Sequence, residues 1–300
     1  MVCTRCFTYN QAAYIEDAMR GFTMQVTSFP VVYVIVDDAS TDGEPTVIKN
    51  YLAEKFYTPF CIKETEYAHI ISANHKTNNN CRFVVLLLKY NHYQKKSKLP
   101  YISEWVDNSK YTALNEGDDY WIDPEKLQKQ VDFMESHPQH SLCFCTYQNL
   151  FPDGRLVPSP RYEHDVEDCP IEDVILAGGG YAATNAMLYR NKLYGSYTTW
   201  VINPVVGDLP MTLTLAVQGK IGYLHDLMCV YRCNASGSWS RRMASSFRYR
   251  RKTYLGIKRI MRLFDDWTEK KYHSIVKKKL KNNTKQYIIS ELRYLKYRLL

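Results

Sequence analysis

VVYVIVDDASTDG, from Val31 to Gly43, holds the two signals that decide the fold. After Pro30, six consecutive β-branched and aromatic residues form an uninterrupted apolar run, the pattern of a strand covered on both faces. The run stops at Asp37-Asp38 and passes into Ala39-Ser40-Thr41-Asp42-Gly43, a loop too polar to pack. A buried strand ending in carboxylates fits an open α/β sheet, whose ligands sit outside the carboxyl ends of the strands.

Working outward, Val2 to Thr8 reads as a first strand and is followed by Tyr9-Asn10. A helix then places Ile15, Ala18, Met19 and Phe22 on one face. Downstream, Phe83 to Leu88 is a strand ending at the basic segment Lys89 to Lys98, and Tyr111 to Asn115 is another ending at Glu116-Gly117-Asp118-Asp119. Strands alternating with helices imply a mostly parallel, doubly wound sheet. Asp123 as N-cap and Pro124 at the first position open a helix with Leu127, Val131 and Met134 on one face, closed by His137-Pro138. Leu142 to Tyr147 is strand-like, Pro152 to Pro160 is a loop, and Gly178-Gly179-Gly180 is a turn. Asp208 and Pro210 open a helix to about Gln218, ended by Gly219. Ile221 to Leu224 and Met228 to Tyr231 complete the sheet.

Three hundred residues with 45% hydrophobic content can bury a large core. The formal charge of +8 is uneven: residues 241–300 hold 19 Lys/Arg against 4 Asp/Glu, a local net of +15, while the first 240 carry a net of −7. The expected organisation is a catalytic domain over 1–235 and a basic helical extension over 236–300. In the extension, Ile257, Ile260, Met261 and Phe264 form one apolar stripe, and Ile288, Leu292, Leu295 and Leu299 another. No apolar run approaches the ~20 residues of a spanning helix and no leader opens the chain, so a cytoplasmic location is expected. The nine cysteines are scattered among apolar neighbours. Cys3 and Cys6 form a C-x-x-C, yet residues three apart in a strand face opposite sides, and the core is their expected place. In that compartment the Asn234 and Asn282 sequons are chance matches.

The chemistry follows from the acids at the strand ends. A nucleoside-diphosphate sugar brings a dianionic diphosphate, which carboxylates repel unless a hard divalent cation, Mg or Mn, stands between them. Asp118 and Asp119, on a short turn after a strand, are placed for that; taken alone, they read rather as an acidic turn in which Gly117 supplies an unusual backbone angle. Asp37 and Asp38 could accept hydrogen bonds from a nucleobase or a ribose, or form an Asx-turn.

Taken together, Thr8-Tyr9-Asn10, DDASTDG at 37–43 and EGDDYW at 116–121 resemble glycosyltransferase family 2, the inverting GT-A enzymes that build bacterial surface polysaccharides. The resemblance spans roughly Val2 to Asn234 and implies a GT-A fold, a donor with a nucleoside diphosphate (commonly UDP) and Mn or Mg. It implies that Thr8, Tyr9, Asn10, Asp37, Asp38, Glu116 and Asp118 bind the donor. Asp118 and Asp119 would hold the metal, Asp119 directly, and Glu116 stands where the family has the first acid of its D-x-D signature. Asp208 resembles the catalytic base that deprotonates the acceptor hydroxyl in an inverting transfer; from the residues alone it is an ordinary helix cap. Lys95, Lys96 and Lys98 would contact the diphosphate or form a solvated basic loop. His225 would approach the metal or serve structure. Acceptor specificity is expected within Asp153 to Trp200 and around Trp239.

The acceptor implied is a saccharide or a polyprenyl-linked one. The basic tail over 241–300 suits either an anionic membrane surface, giving a peripheral enzyme on the inner face, or packing back on the domain; no nucleic-acid motif accompanies it. The rival readings are a non-catalytic membrane-associated assembly protein that kept the fold and a sugar-nucleotide nucleotidyltransferase. The latter calls for a Gly-rich loop after the first strand, where this sequence has Thr8-Tyr9-Asn10.

Overall fold

A computed structural model of the protein describes residues 1–93, 95–193 and 200–299, with side chains as far as Tyr294. The first half alternates as expected: β1 (Val2–Thr8), α1 (Ile15–Thr23), β2 (Val31–Asp37) and α2 (Glu44–Lys55), then β3 (Cys61–Glu64), β4 (Ala68–Asn74), β5 (Cys81–Leu88), α3 (Ser103–Asp107) and β6 (Tyr111–Glu116). The second half runs β7 (Tyr120–Trp121), α4 (Lys126–Ser136), β8 (His140–Leu150), β9 (Leu156–Ser159), α5 (Ile171–Ala177), β10 (Met187–Arg190), α6 (Asp208–Gln218) and β11 (Lys220–Arg232). Helices α7 (Trp239–Ser245), α8 (Phe247–Trp267) and α9 (His273–Leu299) follow.

Among the described residues one sheet runs β3-β4-β5-β2-β1-β6-β10-β8-β11-β7, with β9 paired to β8. The centre, β5-β2-β1-β6, is parallel, as is β8 with β11, and β10 lies antiparallel between β6 and β8. Every residue of β2 is buried, because alternate side chains enter two layers: Tyr33 and Ile35 join the larger core, Val32, Val34 and Val36 the smaller. Cys3 and Cys6 divide the same way, one to each layer, which removes any shared site for the pair. The β3–β4 hairpin is not announced by periodicity, since β3 is exposed throughout and β4 mixes His69, Ser72 and Asn74 with its apolar positions.

Several local readings are refined, and Pro152 to Pro160, read as a loop, contains the strand β9 paired antiparallel with β8. Helix α4 starts at Lys126, and Asp123 Oδ1 accepts from the Glu125 N–H at 2.8 Å just ahead of it, while Leu127, Val131 and Met134 are buried as expected. The two final strand segments are one strand, β11, kept continuous by irregular register around Leu224 to Cys229, where exposed Asp226 interrupts the apolar pattern. Gly219 ends α6 with extended backbone; it is small because a Cβ there would sit 2.9 Å from Gln139 O. The first apolar stripe of the tail is buried: Ile260, Met261 and Phe264 lie in the larger core, and Phe264 and Trp267 pack on Trp200. In the second stripe Ile288 and Leu292 are exposed, and the side chains of Leu295 and Leu299 lie outside the described residues. Among the described residues no helix is long and apolar enough to cross a membrane.

Candidate active site

Register builds the site. Thr8 pairs with Asp37 across β1 and β2, and Phe7 with Glu116 across β1 and β6, so the three strand ends deliver their polar residues to one edge. Strand order reverses about β1, which makes this edge the topological switch point where open α/β sheets bind ligands.

On the β1–β2 side the loops lock together. The Thr8 hydroxyl donates to Glu44 Oε1, with Gln11 Oε1 at 2.8 Å as a second acceptor. Glu44 Oε2 accepts from the Gln11 N–H at 2.9 Å and from Ser40 Oγ at 2.8 Å. Ser40 also gives its hydroxyl and N–H to Asp37 Oδ1, three residues back, while the Asx-turn of this loop is made by Asp42, whose Oδ1 accepts the Glu44 N–H at 3.1 Å. Asn10, at φ 53°, accepts from the Thr41 N–H at 2.8 Å and gives its own N–H to Ser40 Oγ. Asp38 is buried with both oxygens engaged, Oδ1 by the His92 N–H at 2.7 Å and Oδ2 by Lys98 Nζ at 2.9 Å. Lys98 therefore joins the 89–98 loop to this site, while Lys96 lies over the Tyr101 ring and Lys95 is exposed. Tyr9 stands at the lip, 45% exposed. Burial raises the Glu44 carboxyl above its usual range and pushes Asp37 up to about 6.

The acid turn sits across β1. Gly117 has ordinary backbone angles, so its smallness answers to a close approach: a Cβ there would fall 2.6 Å from Thr8 Cβ and overlap Thr8 Oγ1 and Gln11 Oε1. Asp118 is buried and hydrogen-bonded by the Gln11 side chain. Asp119, 1% exposed, accepts the Arg232 N–H at 2.8 Å on Oδ1. The Arg232 guanidinium ties Asp118 O at 2.6 Å to Asp17 Oδ2 at 2.8 Å and stacks on Tyr14 and Tyr120. Burial, then mutual repulsion, raises Asp119 well above the usual carboxylate range; burial also raises Asp118. Glu116 is reached by solvent along the cleft, yet protein encloses its carboxyl deeply enough, with Asp118 and Asp208 nearby, to push it up to about 7.

Among the described residues none of these three acids forms an ion pair, and no three metal-binding side chains converge. The protein thus offers crowded, under-compensated carboxylates and no closed cage. That donor set fits a hard divalent cation completed by phosphate oxygens. His225 has its N–H on Asp165 Oδ1 at 2.6 Å and its ring beside Tyr223.

Asp208 comes from the far half of the chain. It is the first residue of α6, with Oδ1 taking the Leu209 N–H at 2.9 Å and Oδ2 3.1 Å from where a Gly179 Cβ would stand. Its charge is felt at Glu116, and burial raises its own pKa.

No family model matches the sequence. Uncharacterized protein Rv1520 of Mycobacterium tuberculosis and uncharacterized protein Mb1547 of Mycobacterium bovis are each 32% identical over 237 residues, 77% of this chain. The chain spans 58% of the length of these relatives. Among solved structures, S. aureus TarS 1-349 in complex with UDP-GlcNAc matches with a TM-score of 0.61 at 16% identity, covering 87% of this chain and 66% of that one. The mannosyltransferase PcManGT from Pyrobaculum calidifontis, in complex with GDP-Man and Mn2+, matches with a TM-score of 0.52 at 14% identity, covering 87% and 62%. The fold is that of the GT-A glycosyltransferases.

Within this GT-A fold several residues at the site carry no motif. Gln11 and Glu44 are found only by the register of β1 with β2, though Glu44 follows Gly43 at a helix start, a position that favours acids. Arg232 arrives from the end of β11. Arg242 arrives from α7, with its guanidinium over Tyr93 and Tyr249 and its charge felt at Asp118. Its Nε is buried without a partner among the described residues. An isolated arginine gives no sequence signal of such a place.

Proposed function

We propose that the protein is an inverting, metal-dependent glycosyltransferase of family 2. It moves a sugar from a nucleoside-diphosphate donor, UDP in the first instance, to a hydroxyl of a saccharide or polyprenyl-linked acceptor in capsule, O-antigen or other surface-polysaccharide synthesis. One observation carries the reading: strand register brings the ends of β1, β2 and β6 to one edge, where Glu116, Asp118 and Asp119 crowd without ion pairs among the described residues, and the charge of Asp208 of α6 adds to those that raise Glu116. Support comes from the fold shared with proteins solved with UDP-GlcNAc and with GDP-Man and Mn2+.

In this reading Asn10, Asp37 and Asp38 hold the two loops that present Thr8 and Tyr9 to the nucleoside, and Glu116 and Asp118 line the ribose and diphosphate. Asp118 and Asp119 hold Mn or Mg, which when bound offsets the charge of the diphosphate. Asp208 takes the proton of the acceptor hydroxyl as its oxygen bonds to the anomeric carbon, and the bond from that carbon to the diphosphate breaks with its electron pair leaving on the nucleoside diphosphate. A carboxylate raised by burial is better matched to that proton than a solvated one. Residues 1–235 carry the groups assigned to donor, metal and acceptor, α8 is packed into the same core, and the basic tail within 236–300 holds the protein at the cytoplasmic face of an anionic membrane.

The test is a thermal-shift and hydrolysis screen against UDP-, GDP- and dTDP-sugars with and without Mn. A donor at about 100 Kd adds ~2.7 kcal/mol of stability. A metal-dependent shift with one donor class, abolished in Asp119→Asn, is expected. No shift with any donor overturns the reading.

A further inference from the structure

Packing has spent one face of each tail helix. Helix α8 gives Ile260, Met261 and Phe264 to the core, and α9 gives Val276, with Lys279 Nζ donating to Leu176 O at 2.7 Å and Ala177 O at 3.0 Å. The α8–α9 hairpin is closed by Arg250 on Glu291 at 2.6 Å and by the Tyr254 and Tyr287 rings stacked at 4.5 Å. Glu291 is the one carboxylate in the α9 sequence, and it is turned inward.

The opposite face of α9 is left to solvent. At helical spacing it carries Lys277, Lys278, Lys281 and Lys285, all exposed and without ion pairs among the described residues, and then Ile288, Ile289 and Leu292 at 52%, 38% and 61% exposure. Lys281, Lys285, Ile288 and Ile289 line a shallow groove there. Four uncompensated cations leading into three bare aliphatic side chains, with no acid among them, complement an anionic surface that also has an apolar layer.

We propose that this face of α9 docks on an anionic lipid bilayer, with the four lysines on lipid phosphates and Ile288, Ile289 and Leu292 entering the acyl boundary. The proposal deepens the membrane part of the functional reading and rests on it, but it needs no donor, metal or turnover.

Full-length protein is sedimented with vesicles of phosphatidylcholine alone and of equal parts phosphatidylcholine and phosphatidylglycerol, at low and high salt. Binding to the anionic vesicles only, weakened by salt, is expected. Each Lys→Gln change among the four should weaken partition about fivefold, and Ile288→Ser with Leu292→Ser should leave only salt-sensitive residual binding. All of these positions are exposed, and unchanged thermal unfolding checks that the variants fold. Equal binding to both vesicles, none to either, or a concentration-dependent dimer or nucleic-acid complex lost in the same variants overturns the proposal. Because no sugar donor is present, failure here leaves the transferase reading standing, and failure of the transfer assay leaves this one.

Discussion

Gly117 of the acid turn and Thr8 at the end of β1 are packed so closely that a β-carbon on Gly117 would lie 2.6 Å from Thr8 Cβ. The Gly117 N–H also donates to Phe7 O at 3.2 Å. The strand that carries the proposed nucleoside contacts and the turn that carries the acids are thus one packed unit, and a displacement of either moves both.

Gly117→Ala should therefore destabilise the protein by about 1–3 kcal/mol through overpacking and weaken donor binding with it. Thr8→Ala in the same chain removes the nearest oxygen and should recover part of the stability. Denaturant melts of the parent and the two variants decide this; an unperturbed Gly117→Ala would show that the contact relaxes freely.

Asp208→Asn keeps the shape and can still accept the Leu209 N–H, but it cannot take a proton from an acceptor. Turnover should fall by roughly 10²–10⁴, while the thermal shift with donor and metal stays as in the parent. Full turnover in Asp208→Asn would refute the base assignment; a lost donor shift would move Asp208 to the donor side.

Asp37 makes the apo protein sensitive to pH. Burial raises its carboxyl from 3.8 to about 6, outweighing the Ser40 hydrogen bonds that lower it. The folded chain then holds this proton more tightly than the unfolded one, so the stability it contributes is full below about pH 4 and is lost as pH rises through about 6. Glu116 acts with the same sign toward 7, so the quantity to read is a difference. Subtracting the Asp37→Asn melting profile from the parent profile should give a falling step between about pH 4 and 6, and a flat difference would count against it.

Much of the fold was legible because its signals are local. An unbroken β-branched run, Val31 to Val36, tolerates no solvated face, and the polar residues after each strand had to lie at the sheet's carboxyl edge. The edge hairpin was not legible, since a strand exposed at every position, like Cys61 to Glu64, lacks alternation. The tail stripes were legible as stripes but not as to what covers them: Phe264 met Trp200 and Trp267, and Ile288 stayed half exposed.

The sequence by itself determined the alternating strands and helices of the parallel centre and the acids at strand ends, because hydrophobic period and chain direction are properties of short segments. The tertiary structure alone decided that Glu44 braces Thr8, that Lys98 neutralises Asp38, that Arg232 binds Asp119 and that the charge of Asp208 reaches Glu116. Each pair is brought together by strand register or helix docking across long separations, and the low dielectric that shifts their protons exists only once the surrounding core has excluded water.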